Sequence, residues 1–398
     1  MRSRRLFGPI GLGIAMFVLG GVQLGCQPAD TPTDAPTVPE EGESSSDVGS
    51  DEQGEGSETK NESETASGSG AEGAEESGEA KSQPSNSTEE LVDVPLGLPP
   101  VPIPDDNPMT AEKIALGKKL YFDPRLSKDG TISCATCHDP QMAWTEHRPT
   151  SEGFEGQVGD KNSPTVINSA YAPEQFWDGR ADSLEEQALG PMENPIEMGH
   201  TLDDLVSDLA EVEEYEQSFQ EVFGTTVTRE GMAKAIAAYE RTVLSGNSPY
   251  DQYQDGDENA LTEAQQRGLN LFEDVGCATC HTPPLFSNYN YYNAGIGMDK
   301  DPPDEGRKNV TGEDRDLGKF RVPMLREVAD THPYYHDGSV ETLEEAVEIM
   351  ATGGRENDNL SAIFKGIASQ NISDQDQEDI VEFLKALSGD YPIPDEEA

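Results

Sequence analysis

Two copies of one five-residue motif carry the most specific chemistry in this chain. Cys-Ala-Thr-Cys-His occupies residues 134–138 and again residues 277–281. Two thiols separated by two residues can each bond a vinyl group of one porphyrin, and the adjacent imidazole can then ligate the iron. A zinc site, a redox dithiol or a short disulfide is the alternative for each pair, yet the pairs lie far apart and each has its own His. The motifs predict two covalent haem c groups, held by Cys134, Cys137 and His138 and by Cys277, Cys280 and His281.

The one cysteine outside the two motifs, Cys26, ends an N-terminal segment that is typical of secreted proteins. A basic start is followed by the apolar residues 6–24, which is the pattern of a secretory signal. The segment closes with Gly25-Cys26, which resembles a bacterial lipoprotein cleavage box. We predict that residues 1–26 are a signal peptide with lipidation at Cys26; the alternative is an uncleaved anchor, since about 19 apolar residues could just span a bilayer. Either reading predicts an exported, periplasm-facing and membrane-anchored protein.

Residues 27–92 are predicted to form a disordered linker that tethers the rest of the chain. Up to residue 90 this segment consists almost entirely of Gly, Ser, Glu, Thr, Pro and Asp, and it contains no aromatic residue. Such a composition cannot bury enough apolar surface to offset the entropy lost on ordering the chain. We therefore predict that the linker is a flexible tether without a fold of its own.

The chain is strongly acidic, with a formal net charge of −51. This charge excludes nucleic acid as a partner and favours a basic macromolecule, because a negative surface speeds the encounter with a positively charged redox protein. General solubility or adaptation to salt explains the same charge equally well. The total charge does not locate a docking surface.

Helices are predicted on both sides of each Cys-Ala-Thr-Cys-His motif. Thr110 and Thr262 each begin a pattern that ends in Gly-x-x-Leu-aromatic just before a motif, and Thr262 forms a capping box with Gln265. An amphipathic helix capped by Thr228 closes the first half, and one capped by Ser373 closes the second half. The fold class is therefore predicted as all-α, with two cytochrome c-like domains at residues 93–250 and 251–398.

Several further motifs, in order along the chain, point to one family. They are Leu120–Ser127, Asn162–Val166, Phe176–Arg180, Glu193–Met198, Phe320–Arg326 and Pro333–Ser339. With these motifs the chain resembles the bacterial dihaem cytochrome c peroxidases over roughly residues 95–395. That family also includes the dihaem oxidase that matures the tryptophylquinone cofactor of methylamine dehydrogenase.

The resemblance implies roles for residues around the first haem, where the family reduces peroxide. His138 matches the proximal iron ligand, Glu197 the distal carboxylate and Gln187 a pocket amide. Heterolysis of the O–O bond requires a proton to move from one peroxide oxygen to the leaving oxygen, and a positioned carboxylate can perform both transfers. Trp177 matches a residue between the haems that assists electron transfer; it is equally compatible with a large side chain that fills the domain junction.

For the second haem, the resemblance implies His281 as proximal ligand and a methionine as distal ligand. The family methionine lies fourteen residues beyond the His of the Tyr-x-His-Asp-Gly motif, which here is His336 and leads to Met350. A thioether raises the potential, as an electron-feeding haem requires, and the quinone-maturing oxidase has Tyr at this place. Met298 and Met324 remain rival ligands, because a methionine within a helix is often core filler.

The chain departs from the family in the loop that often supplies a distal His to the resting first haem. Aligned back from Asn162, that position is Phe154, which cannot ligate iron. We therefore predict a first haem with an open distal site at rest, which needs no reductive activation. His147 is the alternative ligand if the loop folds differently.

The resemblance also implies one calcium ion between the domains. Its ligands match the Asn162 side chain and the backbone carbonyl oxygens of Thr331 and Pro333, with water completing the shell. Coordination by oxygen alone suits calcium.

Together these residues predict a peroxidase that reduces hydrogen peroxide with electrons from a small cytochrome c or copper protein, passed from the C-terminal haem to the N-terminal haem. One alternative is a dihaem oxidase that acts on a partner protein or organic substrate, which Phe154 favours and Met350 opposes. The other is a non-enzymatic electron carrier, which would have no use for Glu197 and Gln187. A homodimer is compatible with the sequence.

Overall fold

Helices form most of the secondary structure in the computed structural model, which describes residues 91–394. Two short antiparallel strands, β1 (Tyr291–Tyr292) and β2 (Phe320–Arg321), are the only paired strands within those residues. The part of the chain that is described is thus helix-rich, as predicted. The helices are α1 Ala111–Tyr121, α2 Cys134–Cys137, α3 Leu184–Glu193, α4 Leu202–Ala210, α5 Glu213–Phe223, α6 Arg229–Glu240, α7 Pro249–Gln254, α8 Glu263–Asp274, α9 Lys308–Thr311, α10 Leu343–Ala351, α11 Ile363–Ala368 and α12 Asp374–Lys385.

The predicted signal peptide, the lipidation site at Cys26 and nearly all of the linker lie outside the described residues, and they stay predictions. Within residues 91–394, each helix is too short or too polar to cross a bilayer.

The four predicted helix starts are confirmed. The side chain of Thr110 accepts a hydrogen bond from the backbone N–H of Lys113 at the start of α1. The capping box that begins α8 is formed as predicted, because both of its hydrogen bonds satisfy N–H groups that have no partner inside the helix. The remaining two caps, at the starts of α6 and α12, are Thr228 and Ser373.

Each half of the chain is built on a pair of helices that cross at a glycine. In the first half α1 packs against α6, and a Cβ added at Gly117 would overlap the carbonyl oxygen of Ala235. In the second half α8 packs against α12, and a Cβ added at Gly268 would overlap the carbonyl oxygen of Asp379. The same glycine in the Gly-x-x-Leu-aromatic pattern therefore allows the same close approach twice.

Two clusters of buried apolar side chains surround these helix pairs. The first core contains buried residues between Leu116 and Val243, and Cys134 packs against it. The second core contains buried residues between Tyr250 and Leu387, and Cys277 packs against it. Each haem attachment motif thus lies at the edge of its own core.

A C-terminal segment, residues 388–392, returns from the second half to the first core. The N–H of Asp390 donates to the carbonyl oxygen of Gly246 over 3.1 Å, and the N–H of Gly389 donates to Oε1 of Glu327 over 2.8 Å. The indole Nε1 of Trp144 donates to the carbonyl oxygen of Pro392 over 3.0 Å. Trp144 is fully buried in the first core, so the segment completes that core from outside the first half.

A buried ion pair between Arg326 and Asp251 predicts a large stability effect. Arg326 donates two hydrogen bonds to Asp251, of 2.7 and 2.8 Å, and the side chains are 1% and 2% exposed. Arg326→Ala leaves the carboxylate buried without its partner, so we expect a loss of about 3–5 kcal/mol in the free energy of unfolding, measured by denaturant titration. Lys385→Ala is the control, because the Lys385–Glu382 pair is exposed and its loss costs only about 0–1 kcal/mol. Equal losses in the two variants would contradict the assignment.

Candidate functional site

The first Cys-Ala-Thr-Cys-His motif forms the short helix α2 and the residue that ends it. A reciprocal capping arrangement between Ser133 and Thr136 begins the helix. Cys134 and Cys137 are partly buried and carry free thiols. His138 follows as the C-cap residue, and the backbone N–H of His138 donates to the carbonyl oxygen of Cys134. One short turn therefore holds both thiols and the imidazole together, as haem c attachment requires.

The environment of His138 favours a neutral imidazole, which is the form that ligates iron. Burial lowers the pKa of the ring, and the backbone of Trp144 and Pro164 faces it. The hydroxyl of Tyr121 donates to the carbonyl oxygen of His138 over 3.3 Å. The first core thus supports the motif directly behind its iron-ligating residue.

The second motif opens into a largely apolar cavity of about 210 Å³. Cys277, Cys280 and His281 line this cavity, and both thiols are free. Nδ1 of His281 lies 3.0 Å from the carbonyl oxygen of Phe286, a contact that holds the ring orientation of a metal-binding His. Burial lowers the pKa of His281 to about 4, so its imidazole is also neutral at neutral pH.

The cavity wall brings Met350 together with the second motif. Met350 lies on α10, within the helical stretch predicted for it, and lines the same cavity as His281. Met324 instead packs against a separate cluster near Leu285, and Met298 lies against Gly318 with its sulfur. Among the three methionines, Met350 alone lines the cavity within residues 91–394. Its role as an iron ligand stays a prediction.

A buried arginine gives the cavity a single cationic group suited to a haem. Arg321 lines the cavity, and its Nη1 is buried without a hydrogen-bond partner within residues 91–394. Its Nε donates to the carbonyl oxygen of Phe176 over 3.3 Å, and burial lowers the pKa of the guanidinium. An unpaired buried cation needs an anionic partner. The propionates of a haem would supply one, so the residues present fit the predicted group.

Glu197 is partly buried in the segment that follows α3. Nδ2 of Asn194 donates to Oε1 of Glu197 over 2.7 Å. Burial raises the pKa of the Glu197 carboxyl, and the Asn194 hydrogen bond opposes that rise. Burial, then the charges of Glu146 and Glu197, raise the pKa of Cys137 to about 11, so the Glu197 carboxylate interacts electrostatically with this haem attachment residue. Gln187 lies on α3, partly buried.

The loop that contains Phe154 is hydrogen-bonded to the backbone of the segment that contains Glu197. The N–H of Phe154 donates to the carbonyl oxygen of Glu197 over 2.7 Å, and the Gln157 side chain donates to the carbonyl oxygen of Pro195 over 2.8 Å. The Phe154 ring packs on Gly199, where a Cβ would meet it at 2.7 Å. The phenyl ring therefore packs against the segment that contains the predicted distal carboxylate.

His147 points toward the second half of the chain. Its Nε2 lies 2.9 Å from the carbonyl oxygen of Asp330, and its ring stacks on His332 with centroids 4.2 Å apart. One ring nitrogen is therefore already engaged, and the structure does not bring His147 to Glu197. Its alternative role as a distal ligand stays a prediction.

Trp177 connects the two halves at the second cavity. Its ring lines the cavity that holds the second motif, and its Nε1 donates to the carbonyl oxygen of Asn162 over 2.8 Å. The N–H of Arg321 donates to the carbonyl oxygen of Trp177 over 2.8 Å. A residue from the first half thus forms part of the wall around the second haem motif.

Asn162, one of the residues predicted for calcium, contacts the segment that follows Pro333. The N–H of Asn162 donates to the carbonyl oxygen of His336, three residues after Pro333, over 2.8 Å. Nδ2 of Asn162 donates to the carbonyl oxygen of Arg148 over 2.8 Å. Within residues 91–394, no group of three or more His, Cys, Asp or Glu side chains could hold a metal ion. A calcium site here would therefore depend on amide and backbone carbonyl oxygens, including that of Thr331.

Comparison with known proteins decides the family. The sequence profile described as "Di-haem cytochrome c peroxidase" matches residues 111–259. Cytochrome c551 peroxidase of Nitrosomonas europaea is 41% identical over 294 residues, which cover 73% of this chain and 84% of that protein. The chain belongs to the dihaem cytochrome c peroxidase family. Covalently bound haem is therefore implied by family membership as well as by the two motifs.

Two further relatives show how far the likeness extends. Cytochrome c peroxidase Ccp of Escherichia coli is 42% identical over 299 residues, which cover 74% of this chain but only 62% of the relative. A solved MauG-like protein associated with microbial copper homeostasis superposes with a TM-score of 0.68 at 33% identity. That likeness covers 75% of this chain and 95% of the solved chain. Peroxidases and MauG-like proteins of the family thus share this fold.

Two site residues were missed by the sequence reasoning. Arg321 stands inside the Phe320–Arg326 motif used for the resemblance, and only the structure of residues 91–394 shows that its Nη1 is buried there without a hydrogen-bond partner. Asn194 stands in the Glu193–Met198 motif, where an amide three residues before a glutamate could have suggested the contact. Both residues stand in motifs that were recognised in the sequence, but neither an arginine nor an asparagine indicates by its type which residue it contacts.

Proposed function

We propose that this protein is a dihaem cytochrome c peroxidase that reduces hydrogen peroxide to water with electrons from a small redox protein. The observation that carries the proposal is Glu197, a partly buried carboxyl with a raised pKa that is held by Asn194 and interacts electrostatically with Cys137 of the first haem attachment motif. An electron carrier gains nothing from a buried acid–base group at this place. A peroxidase needs one, because the O–O bond breaks only when a proton reaches the leaving oxygen.

When bound, the two haems would supply the iron centre at which peroxide is reduced and the electron store that feeds it. His138 would hold the first from its proximal side, and Cys134 and Cys137 would fix its position. Glu197 in its ionised form would take a proton from one peroxide oxygen and return it to the other. Asn194 holds the carboxyl in place through the hydrogen bond to Oε1, and Gln187 would add an amide to the same pocket.

Electrons are proposed to arrive at the second haem site and to pass on to the first. Met350 and His281 line the same apolar cavity, and a Met350 ligand would raise the potential there. Trp177 lines that cavity and is tied to Asn162 of the first half, which supports the proposal that it assists electron transfer. One calcium ion, held by Asn162, Thr331 and Pro333, is proposed at the same junction.

The protein is proposed to work outside the cytoplasm, on a lipid tether at Cys26. Two features of the sequence support this: the secretory pattern of residues 1–26 and the haem c motifs, since bacteria attach haem c outside the cytoplasm. The formal net charge of −51 favours a basic donor such as a small cytochrome c or copper protein.

The test is peroxide-dependent oxidation of a reduced small cytochrome c by the purified protein carrying both haems. Turnover supports the proposed peroxidase. If neither the oxidised nor the pre-reduced protein turns over, the activity is an oxidase acting on a partner or organic substrate, which Phe154 favours, or simple electron transfer.

The Phe154 loop predicts that the fully oxidised protein turns over at once, without pre-reduction. Phe154 cannot ligate iron, and the loop is held by hydrogen bonds to the backbone of Glu197 and Pro195. We expect a high-spin first haem in the visible and electron paramagnetic resonance spectra of the oxidised protein. Phe154→His is expected to produce a low-spin haem and a requirement for pre-reduction. A low-spin, bis-histidine first haem in the unmodified protein would show that another residue, such as His147, closes the site.

A further inference from the structure

An aromatic cluster in the first core has no part in the proposed peroxide chemistry. Trp144, one of two tryptophans in the chain, contacts Tyr121 with ring centroids 5.6 Å apart and Tyr239 with centroids 6.1 Å apart. The two tyrosine rings are themselves 5.4 Å apart. Trp144 and Tyr121 are fully buried and Tyr239 is 6% exposed. Apart from sulfur-containing side chains and metal centres, tryptophan and tyrosine are the groups in proteins that lose a single electron most readily.

The cluster lies directly behind the first haem motif. The hydroxyl of Tyr121 donates to the carbonyl oxygen of His138, and Cys134 packs against the core that contains all three rings. The N–H of Trp144 donates to the carbonyl oxygen of Asp139 over 2.8 Å, so the turn after His138 fixes the indole. An oxidising group attached to this motif would therefore have an aromatic ring as a close neighbour.

The cluster also reaches the protein surface through the C-terminal segment. Nε1 of Trp144 donates to the carbonyl oxygen of Pro392 over 3.0 Å. Tyr391, the preceding residue, packs against the first core and remains partly exposed. Burial and then the charges of Asp330 and Glu327 raise the pKa of Tyr391, so its phenol is neutral at neutral pH. Trp144 is thus hydrogen-bonded on one side to the turn after the first haem motif and on the other to the residue that follows a partly exposed tyrosine.

We propose that Trp144 and Tyr391 form an electron path from the protein surface to the first haem site, which supplies electrons when peroxide is present and the donor is absent. The inference rests on the proposed peroxidase function, because peroxide is the oxidant. The path protects the haem and the buried core by moving the oxidation to one surface side chain.

The chemistry balances with peroxide and water as the only co-reactants. Each peroxide takes up two electrons and two protons, and its O–O bond breaks to give two water molecules. Both electrons come from Tyr391 by way of Trp144. Loss of the first electron, with release of the phenolic proton to water, leaves a tyrosyl radical. Loss of the second electron, with addition of one water molecule to the ring and release of one further proton, gives a catechol. The ring loses one C–H bond and gains one C–O bond.

Tyr391 is the end of the path because a phenol must lose its proton when it loses an electron. The Tyr121 hydroxyl donates to the carbonyl oxygen of His138, which cannot take up its proton, and Tyr121 is fully buried away from water. Tyr391 is partly exposed, so water can take its proton. An indole can lose an electron without immediate proton loss, which suits Trp144 as the buried intermediate.

The first test treats the oxidised protein carrying both haems with excess peroxide and no donor, in isotopically labelled water, and maps oxidised residues by mass spectrometry. We expect one labelled oxygen atom on Tyr391, taken from water, and loss of that label in Trp144→Phe. Tyr215→Phe is the matched control, because Tyr215 is buried in the same core but binds Asp123; it should retain the label. Oxygen from peroxide, or equal labelling in Trp144→Phe, would overturn the path.

A second measurement needs no change at Trp144, in case that variant fails to fold. Samples frozen soon after peroxide addition are compared by electron paramagnetic resonance. The unmodified protein should show a tyrosyl radical that Tyr391→Phe abolishes, and an unchanged radical in Tyr391→Phe would overturn the path. Turnover with reduced cytochrome c is measured in parallel, and Tyr391→Phe should leave it unchanged. If that turnover is absent from the unmodified protein, the proposed function fails; if it is present without oxidation at Tyr391, only the path fails.

Discussion

Glu197→Gln is expected to lower peroxide turnover by a factor of about 10² to 10⁴ while both haems remain attached. The amide has nearly the shape of the carboxylate and can still contact Asn194, but it cannot accept and return a proton. Haem attachment depends on the thiols and on His138, which the substitution does not touch. The measurement is the steady-state rate of donor oxidation, with haem content determined from the absorption spectrum of the same sample.

Glu193→Gln is the matched control for this prediction. Glu193 belongs to the same Glu193–Met198 motif, ends α3 and is exposed, so its loss should leave turnover within about twofold of the unmodified protein. Near-normal turnover in Glu197→Gln would remove Glu197 from the proposed role.

The same carboxyl predicts the acid side of the pH–rate profile. Burial raises the pKa of Glu197, so its neutral form persists to a higher pH than that of an ordinary glutamate. The reactive carboxylate is lost as the pH falls through that raised pKa, and the acid limb of kcat/KM should lie above the ordinary Glu value. Asn194→Ala removes the hydrogen bond that opposes the rise, so it should move this limb to still higher pH. An unmoved limb would mean that another group controls it.

Met350→His is expected to give the second large effect, a lower reduction potential of the second haem. Axial ligands set haem potentials over a range of roughly 0.8 V, and methionine lies toward its upper end. Replacement of the thioether by an imidazole should therefore shift the potential by a sizeable part of that range. The thioether-to-iron charge-transfer absorption of the oxidised protein should disappear at the same time. Slower electron supply should then reduce turnover.

The rival methionines serve as controls for this substitution. Met298→His and Met324→His introduce the same imidazole at positions that do not line the cavity containing Met350. Both should leave the potential and the charge-transfer absorption unchanged. If either variant instead produced the shift, and Met350→His did not, the ligand assignment would pass to that residue.

Local chemistry explains which parts of the fold could be predicted from the sequence. Thr110, Thr262, Thr228 and Ser373 were recognised as caps because each acts on N–H groups within its own first turn. The apolar faces that follow them repeat with the helical period, so the burial of Ile236 and Phe383 was also predictable. The two motifs contain their complete chemistry in five consecutive residues.

The parts that could not be predicted depend on partners distant in sequence. Arg321 lies in a quoted motif, but its unpaired charge becomes evident only when the cavity around His281 is formed. His147 was considered only as an iron ligand, whereas its ring stacks on His332. The resemblance matched Glu197 and Met350 to their places in the family without indicating Asn194 or the shape of the cavity. The residue type indicates which interactions a side chain can make, and only the fold determines the neighbour with which it makes them.

The bond between Trp144 and Pro392 joins residues that are 248 positions apart, and this separation bears on how the protein is made. Contacts of high sequence separation form late, because a long loop must close before they are gained. The indole behind the first haem motif therefore stays without its last partner until residue 392 is available. Completion of the first core therefore depends on the far end of the chain, and a truncation before residue 392 would remove the hydrogen-bond partner of the Trp144 indole.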